Sequence, residues 1–163
     1  MSPADDSTSD RLPLPARLVV VCVGNICRSP MVEALLSLAL RERGCGVRVT
    51  SAGTNACVGL PADPWALQLM AERGLDIGAH RGRQLLPRQL GADTQVMVTA
   101  EDQRAWLLRK RSSMKGRILH LGAYTGEDVI DPVGGNRARF EQALEAIDAG
   151  IERWLAQGWR LAD

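Results

Sequence analysis

The chain has 163 residues, 45% of them apolar and 24% charged, which suits one domain with a sizeable core. Its 20 Lys and Arg against 19 Asp and Glu leave a formal charge of +1, which excludes a general polyanion binder, so no nucleic-acid partner is expected. Four cysteines without a C-x-x-C pair, and two histidines far apart, His80 and His120, exclude a zinc framework and a secreted disulfide scaffold; no metal and no cofactor is expected.

Residues 1–16 (MSPADDSTSDRLPLPA) are rich in Ser, Asp and Pro and read as a disordered tail, leaving a single domain over 17–163. This polar start lacks a signal-peptide core, and no apolar run approaches the length of a membrane span. A cytoplasmic protein without membrane insertion is the expectation.

The first strand, over about 17–22, is a run of β-branched residues (Val19 to Val21) that delivers Cys22 to its carboxyl end. A tight loop follows, Val23-Gly24-Asn25-Ile26-Cys27-Arg28, and then Ser29-Pro30 at the start of an amphipathic helix over about 30–43. Ser29 suits the N-cap and Pro30 the first helical position, and Gly44 ends the helix. A loop of this kind turns backbone N–H groups inward, and the helix that follows adds its own unpaired N–H groups and positive dipole end. Gly24 and Asn25 are residue types that tolerate the left-handed backbone such a loop requires.

The loop therefore reads as an oxyanion cradle, with a thiol at its start and a guanidinium six positions later. Thiols at helix N-termini beside a guanidinium favour the nucleophilic thiolate form. Arg28 offers a planar fork that matches two phosphate oxygens. In this arrangement Cys22 attacks a phosphoryl group, while Arg28 and the amides of the loop hold its oxygens.

Val47 to Thr50 form a short second strand entering a loop, Ser51-Ala52-Gly53-Thr54, and Asp63-Pro64 cap a second helix that ends at Gly74. His80 lies in the loop 77–83, before a short helix near 84–90. Residues 95–99 are a third strand, 101–112 a helix and 117–121 a fourth strand. A long loop, 122–135, precedes the last helix, about 136–157, in which Phe140, Leu144, Ile147, Ile151 and Trp154 step by four and three. The basic run Arg109-Lys110-Arg111 reads as solvated charge at a helix end. Alternation of strands and helices predicts an α/β three-layer sandwich: a central four-stranded parallel sheet flanked by helices, with the phosphate-binding loop between strand one and helix one.

Departure of an ester oxygen after thiolate attack requires a proton, so a carboxylic acid should hang over the loop. Asp131 in Val129-Ile130-Asp131-Pro132 is the candidate, an aspartate in a long loop stiffened by the proline after it. A turn-forming Asx-Pro is the plainer reading of the same dipeptide.

The string V-C-V-G-N-I-C-R-S-P resembles the signature of the low-molecular-weight protein tyrosine phosphatases. The likeness extends over residues 17–158 through Ser51-Ala52-Gly53-Thr54, Ala62-Asp63-Pro64, His80-Arg81-Gly82-Arg83-Gln84 and Asp131-Pro132. The arrangement looks most like the bacterial branch associated with exopolysaccharide or capsule export. The resemblance implies a metal-independent phosphatase with a cysteinyl-phosphate intermediate at Cys22 and Asp131 as general acid, then base. It implies a phosphotyrosine protein substrate, with a bacterial tyrosine autokinase as the partner, and a monomer or weak dimer. It further implies that the side chains of Asn25, Ser29, Ser51 and His80 hydrogen-bond with one another to support the loop, and that Ser29 donates to the Cys22 sulfur. Cys27 has two readings, a small apolar wall or a redox partner that traps oxidised Cys22 as a disulfide.

The chain departs from the family in lacking aromatic residues after Asp131-Pro132 and after Thr54, so the substrate walls should be aliphatic: Val23, Ile26, Val58 and Val133. Two relatives of the same fold are disfavoured. Protein-arginine phosphatases typically have Thr where this loop has Ile26, and arsenate reductases need redox cysteines in a segment, 75–95, that here has none. A non-catalytic phosphate-binding module would have lost the nucleophile, the arginine or the acid, and all three are present.

Overall fold

A computed structural model describes residues 10–161. Strands β2 (Arg17–Cys22), β3 (Arg48–Gly53), β4 (Thr94–Val98) and β5 (Ile118–His120) form a parallel sheet in the order β3-β2-β4-β5. Helices α1 (Arg28–Glu42), α2 (Pro64–Glu72), α3 (Glu101–Lys110) and α4 (Arg137–Arg153) cover it. The four-stranded parallel sheet between helical layers is the expected architecture.

Alternation along each strand divides the core. Leu18, Val20, Met97 and Leu119 point to the face packed by α1, α2 and α4, where Met31, Leu36, Met70, Phe140 and Ile147 are fully buried. Val21, Val96, Val98 and Ile118 point to the other face, against Leu107 of α3 and Met114. Each such side chain stabilises the fold by about 1.5–3 kcal/mol when fully buried. From the central strand β2 the chain crosses outward to β3 on one side and to β4 on the other. The carboxyl end of β2 is thus the point where the winding reverses and a crevice opens between the loops.

Several expected boundaries move. Helix α1 begins at Arg28 with Cys27 at the N-cap position, so Ser29 and Pro30 lie within its first turn. The hydroxyl of Ser29 is engaged elsewhere and does not cap. Ser51, Ala52 and Gly53, expected in a loop, continue β3, because β2 pairs with them as far as Cys22 opposite Gly53. The helix expected near 84–90 shrinks to one 3-10 turn, Pro87–Gln89. Residues before it are drawn into extended backbone along the edge of β3, where Gly53 N donates to Arg83 O at 2.8 Å and Leu85 N to Gly53 O at 2.8 Å.

The last helix closes in a wide turn, Trp154–Gly158. Beyond it, strand β6 (Trp159–Arg160) pairs with β1 (Leu12–Pro13). Part of the segment expected to be a disordered tail is therefore folded, with Leu14 packed on the core beside fully buried Trp159. Residues 1–9 of that expectation lie outside the described residues.

Candidate active site

Cys22 ends β2 and is 2% exposed. From Cys22 to Ile26 every carbonyl of the loop accepts a hydrogen bond from outside it. The donors are Thr54 N to Cys22 O at 3.0 Å, Asn55 N to Val23 O at 3.0 Å, Cys57 N to Gly24 O at 2.9 Å, His80 Nε2 to Asn25 O at 2.7 Å and Asp63 N to Ile26 O at 2.8 Å. In a planar trans peptide the N–H points opposite to the C=O. Drawing five carbonyls outward therefore turns the amides of residues 23–27 toward the centre of the loop. The amide of Asn25 illustrates it, donating to Cys22 Sγ at 3.3 Å.

The curl of the loop requires Asn25 at φ +58, the sole non-glycine with positive φ among the described residues. Its side chain is fully buried and fully used. Nδ2 donates to Ser29 Oγ at 2.8 Å and to Ser51 Oγ at 3.0 Å, and Oδ1 accepts from Arg83 N at 2.9 Å. Ser29 Oγ also lies 2.9 Å from Cys22 Sγ. With a lone pair of Ser29 occupied by Asn25, its own hydrogen is free to point at the sulfur, and it must do so when the sulfur is a thiolate with no proton to give. The structure thus joins the side chains of Asn25, Ser29 and Ser51, whereas His80 reaches the main-chain carbonyl of Asn25 rather than a side chain of the group.

Arg28, 4% exposed, has its guanidinium under the loop that carries Asp131. Nη1 donates to Val129 O at 3.0 Å, and Nη2 lies 3.6 Å from Asp131 Oδ2. Val129 is held from the other side as well, its N–H donating to Thr99 O at 2.9 Å. Asp131 forms the turn expected of an Asx-Pro, with Oδ1 accepting from Val133 N at 3.1 Å, and its Oδ2 faces the guanidinium.

Cys22, Arg28 and Asp131 line one pocket of about 190 Å3, together with Val23, Gly24, Ile26, Cys27 and Val133. Cys27 is a buried wall. Burial pushes its thiol up from 9.0 to about 12, with Asp63, Cys22 and Asp131 acting in the same direction and Arg28 against them. All four cysteines are free thiols.

Val58, expected in the pocket wall, is not among the lining residues. It is 68% exposed and bridges to Gly82, because the backbone of Cys57 is pinned to Gly24 and turns the next side chain away. Asn55 and Cys57 take that wall instead. Sequence reasoning passed over them, and over two residues that brace the loop from behind. Arg83 donates from Nε and Nη2 to Ser51 O at 3.2 and 2.9 Å, and Gln84 accepts from Ala56 N at 2.9 Å while donating to Thr54 O at 2.8 Å. The sequence signal was present in His80-Arg81-Gly82-Arg83-Gln84, which carried the resemblance without revealing which side chains act.

Comparison with known proteins finds relatives over the same folded residues. The model of the low molecular weight phosphotyrosine protein phosphatase family matches residues 17–160. A probable low molecular weight protein-tyrosine-phosphatase EpsP of Ralstonia nicotianae is 38% identical over 138 residues, covering 85% of this chain and 92% of the relative. The crystal structure of the Erwinia amylovora tyrosine phosphatase amsI superposes with a TM-score of 0.81 at 28% identity, covering 90% of this chain and 95% of that one. The YwlE arginine phosphatase of Geobacillus stearothermophilus superposes at 0.71 with 30% identity, covering 87% and 94%.

Proposed function

This chain belongs to the low molecular weight phosphotyrosine protein phosphatases, and from that premise we propose that Cys22 is its nucleophile, Arg28 its phosphate clamp and Asp131 its general acid and base. The observation that carries the assignment is the outward anchoring of five successive carbonyls, which leaves a ring of amides around the Cys22 sulfur.

In the first step the sulfur attacks phosphorus, the S–P bond forms, and the bond to the tyrosine oxygen breaks as Asp131 gives that oxygen its proton. The charge that builds on the equatorial oxygens is met by amides of residues 23–27 and by Arg28, preorganised and shielded from water. In the second step the Asp131 carboxylate takes a proton from water, the water oxygen attacks phosphorus, and the S–P bond breaks. Ser29, donating to the sulfur, stabilises the departing thiolate. Asn25, Ser51 and His80 position the loop, touching no substrate.

The substrate is a phosphotyrosine protein, and within that class a tyrosine autokinase of polysaccharide export is our assignment. It is supported by the likeness of the signature and anchor motifs to the exopolysaccharide-associated branch. Four free thiols suit a reducing, cytoplasmic setting. The likeness to an arginine phosphatase structure favours phosphoarginine as the competing substrate, but Ile26, a bulky aliphatic side chain, lines the pocket and favours an aryl ring.

The test is hydrolysis of p-nitrophenyl phosphate in EDTA, followed by rapid acid quenching with 32P-labelled substrate to trap the phosphoenzyme. Label on Cys22, absent from Cys22→Ser, is expected; a fully active Cys22→Ser protein would overturn the assignment. A phosphotyrosine peptide should be turned over faster than a phosphoarginine peptide, and the reverse order would replace the substrate class.

A further inference from the structure

At the opposite end of the sheet from Cys22 lies a second concave site, a groove of about 440 Å3. Its floor comes from the face of the sheet on which α3 packs against β4 and β5, leaving the amino-terminal halves of β2 and β3 without a helix above them. The register places Arg17 of β2 directly opposite Arg48 of β3, and Arg83 enters from the wall. Like charges in directly opposed positions of neighbouring strands destabilise a sheet, so the pair calls for a counter-charge.

The groove supplies little. Asp93 is its one carboxylate, and it is already engaged, with Oδ2 3.3 Å from Arg17 Nε and Oδ1 accepting from Thr94 Oγ1 at 3.1 Å. Arg83 uses Nε and Nη2 on Ser51 O, which leaves Nη1. The Arg48 guanidinium has no hydrogen-bond or ion-pair partner among the described residues. Three guanidinium groups against one carboxylate thus surround a concavity of ligand size, on a chain whose overall charge is only +1.

We propose that this groove binds a chain of two or three phosphates, free or as the polyphosphate end of a nucleotide, between Arg17, Arg48 and Arg83. Guanidinium forks pair with phosphate oxygens two at a time, so several forks suit several linked phosphate groups. The volume exceeds that of a single tetrahedral anion, and the Thr50 side chain on the floor adds a hydroxyl group. This site is separate from the catalytic pocket and does not depend on the assignment of Cys22.

The test is calorimetric titration of tripolyphosphate into the full chain with the catalytic pocket saturated by benzylphosphonate. One remaining site is expected, weakened at least tenfold in Arg48→Glu and by less in Arg48→Ala, with p-nitrophenyl phosphate turnover of both variants unchanged in the absence of polyphosphate. Arg83 is unsuitable for substitution because its side chain also holds the Ser51 carbonyl. Equal affinity for ATP and tripolyphosphate identifies the phosphate chain alone as the ligand; tighter ATP identifies a nucleotide. No binding to the benzylphosphonate-saturated protein, or binding unaltered in Arg48→Glu, overturns the proposal.

Discussion

Arg28 holds the loop of Asp131 in place: its Nη1 donates to Val129 O at 3.0 Å while its Nη2 stands 3.6 Å from Asp131 Oδ2. One guanidinium therefore grips the backbone two residues before the acid and also faces the space a phosphoryl group would enter. Under the proposed assignment, a phosphate arriving in the pocket would compete with the carboxylate for Nη2, leave the Val129 contact intact and free Asp131 to turn toward the ester oxygen.

Asp131→Asn keeps the Asx turn but cannot give up a proton to the leaving group. With poor leaving groups such as phenyl phosphate, kcat should fall by about 10²–10⁴. With activated leaving groups the loss should be much smaller, so the slope of log kcat against leaving-group pKa steepens. A uniform loss across the series would remove Asp131 from the role of acid.

Asn25→Ala removes three side-chain hydrogen bonds and places an alanine at φ +58. The left-handed conformation costs roughly 1–2 kcal/mol and the stranded partners about 1–3 kcal/mol. A total of about 2–5 kcal/mol should appear in urea denaturation. Asn25→Gly, relieved of the first cost, should recover part of the stability while remaining catalytically impaired.

Ser29→Ala deletes the hydroxyl 2.9 Å from Cys22 Sγ. A hydrogen bond to a charged group contributes about 1.5–3 kcal/mol, so kcat should drop by roughly 10–100-fold. Because the sulfur is the leaving group of the second step, phosphoenzyme should accumulate in rapid-quench experiments. A fall in kcat without accumulation would place the effect of Ser29 on attack alone.

Cys27 carries a pH signature. Below pH 9 its thiol is protonated in folded and unfolded chains alike. Between 9.0 and about 12 the unfolded chain loses that proton while burial keeps it on in the fold, so this group's contribution to stability declines as pH rises. Cys27→Ala should therefore lose less stability than the wild type between pH 8 and pH 11 in urea titrations. Parallel pH curves would contradict the shift.

Val133 lines the pocket and is 58% exposed, where an aromatic side chain could flank the substrate ring. An added aromatic pair contributes about 0.5–1.5 kcal/mol. Val133→Tyr should lower KM for p-nitrophenyl phosphate by roughly 2–10-fold with kcat little changed, measured by initial rates.

The sequence by itself determined the chemistry and the architecture. A β-branched run ending in Cys22, a loop with Asn25 and Arg28, and a helix just after it are local facts, because neighbours in the chain fix the spacing of thiol to guanidinium. The alternation of strands and helices likewise fixed a parallel sheet, since parallel strands need crossover connections. Tertiary structure alone decided what faces the pocket. Which way the carbonyls of residues 22–26 point depends on Thr54, Asn55, Cys57, Asp63 and His80, donors brought back from other elements of the fold. The same backbone pairing turned Val58 out and Cys57 in, and put Arg83 behind Ser51. A peptide's orientation costs little locally and is set by the partner it finds, and that partner is not written in its immediate sequence.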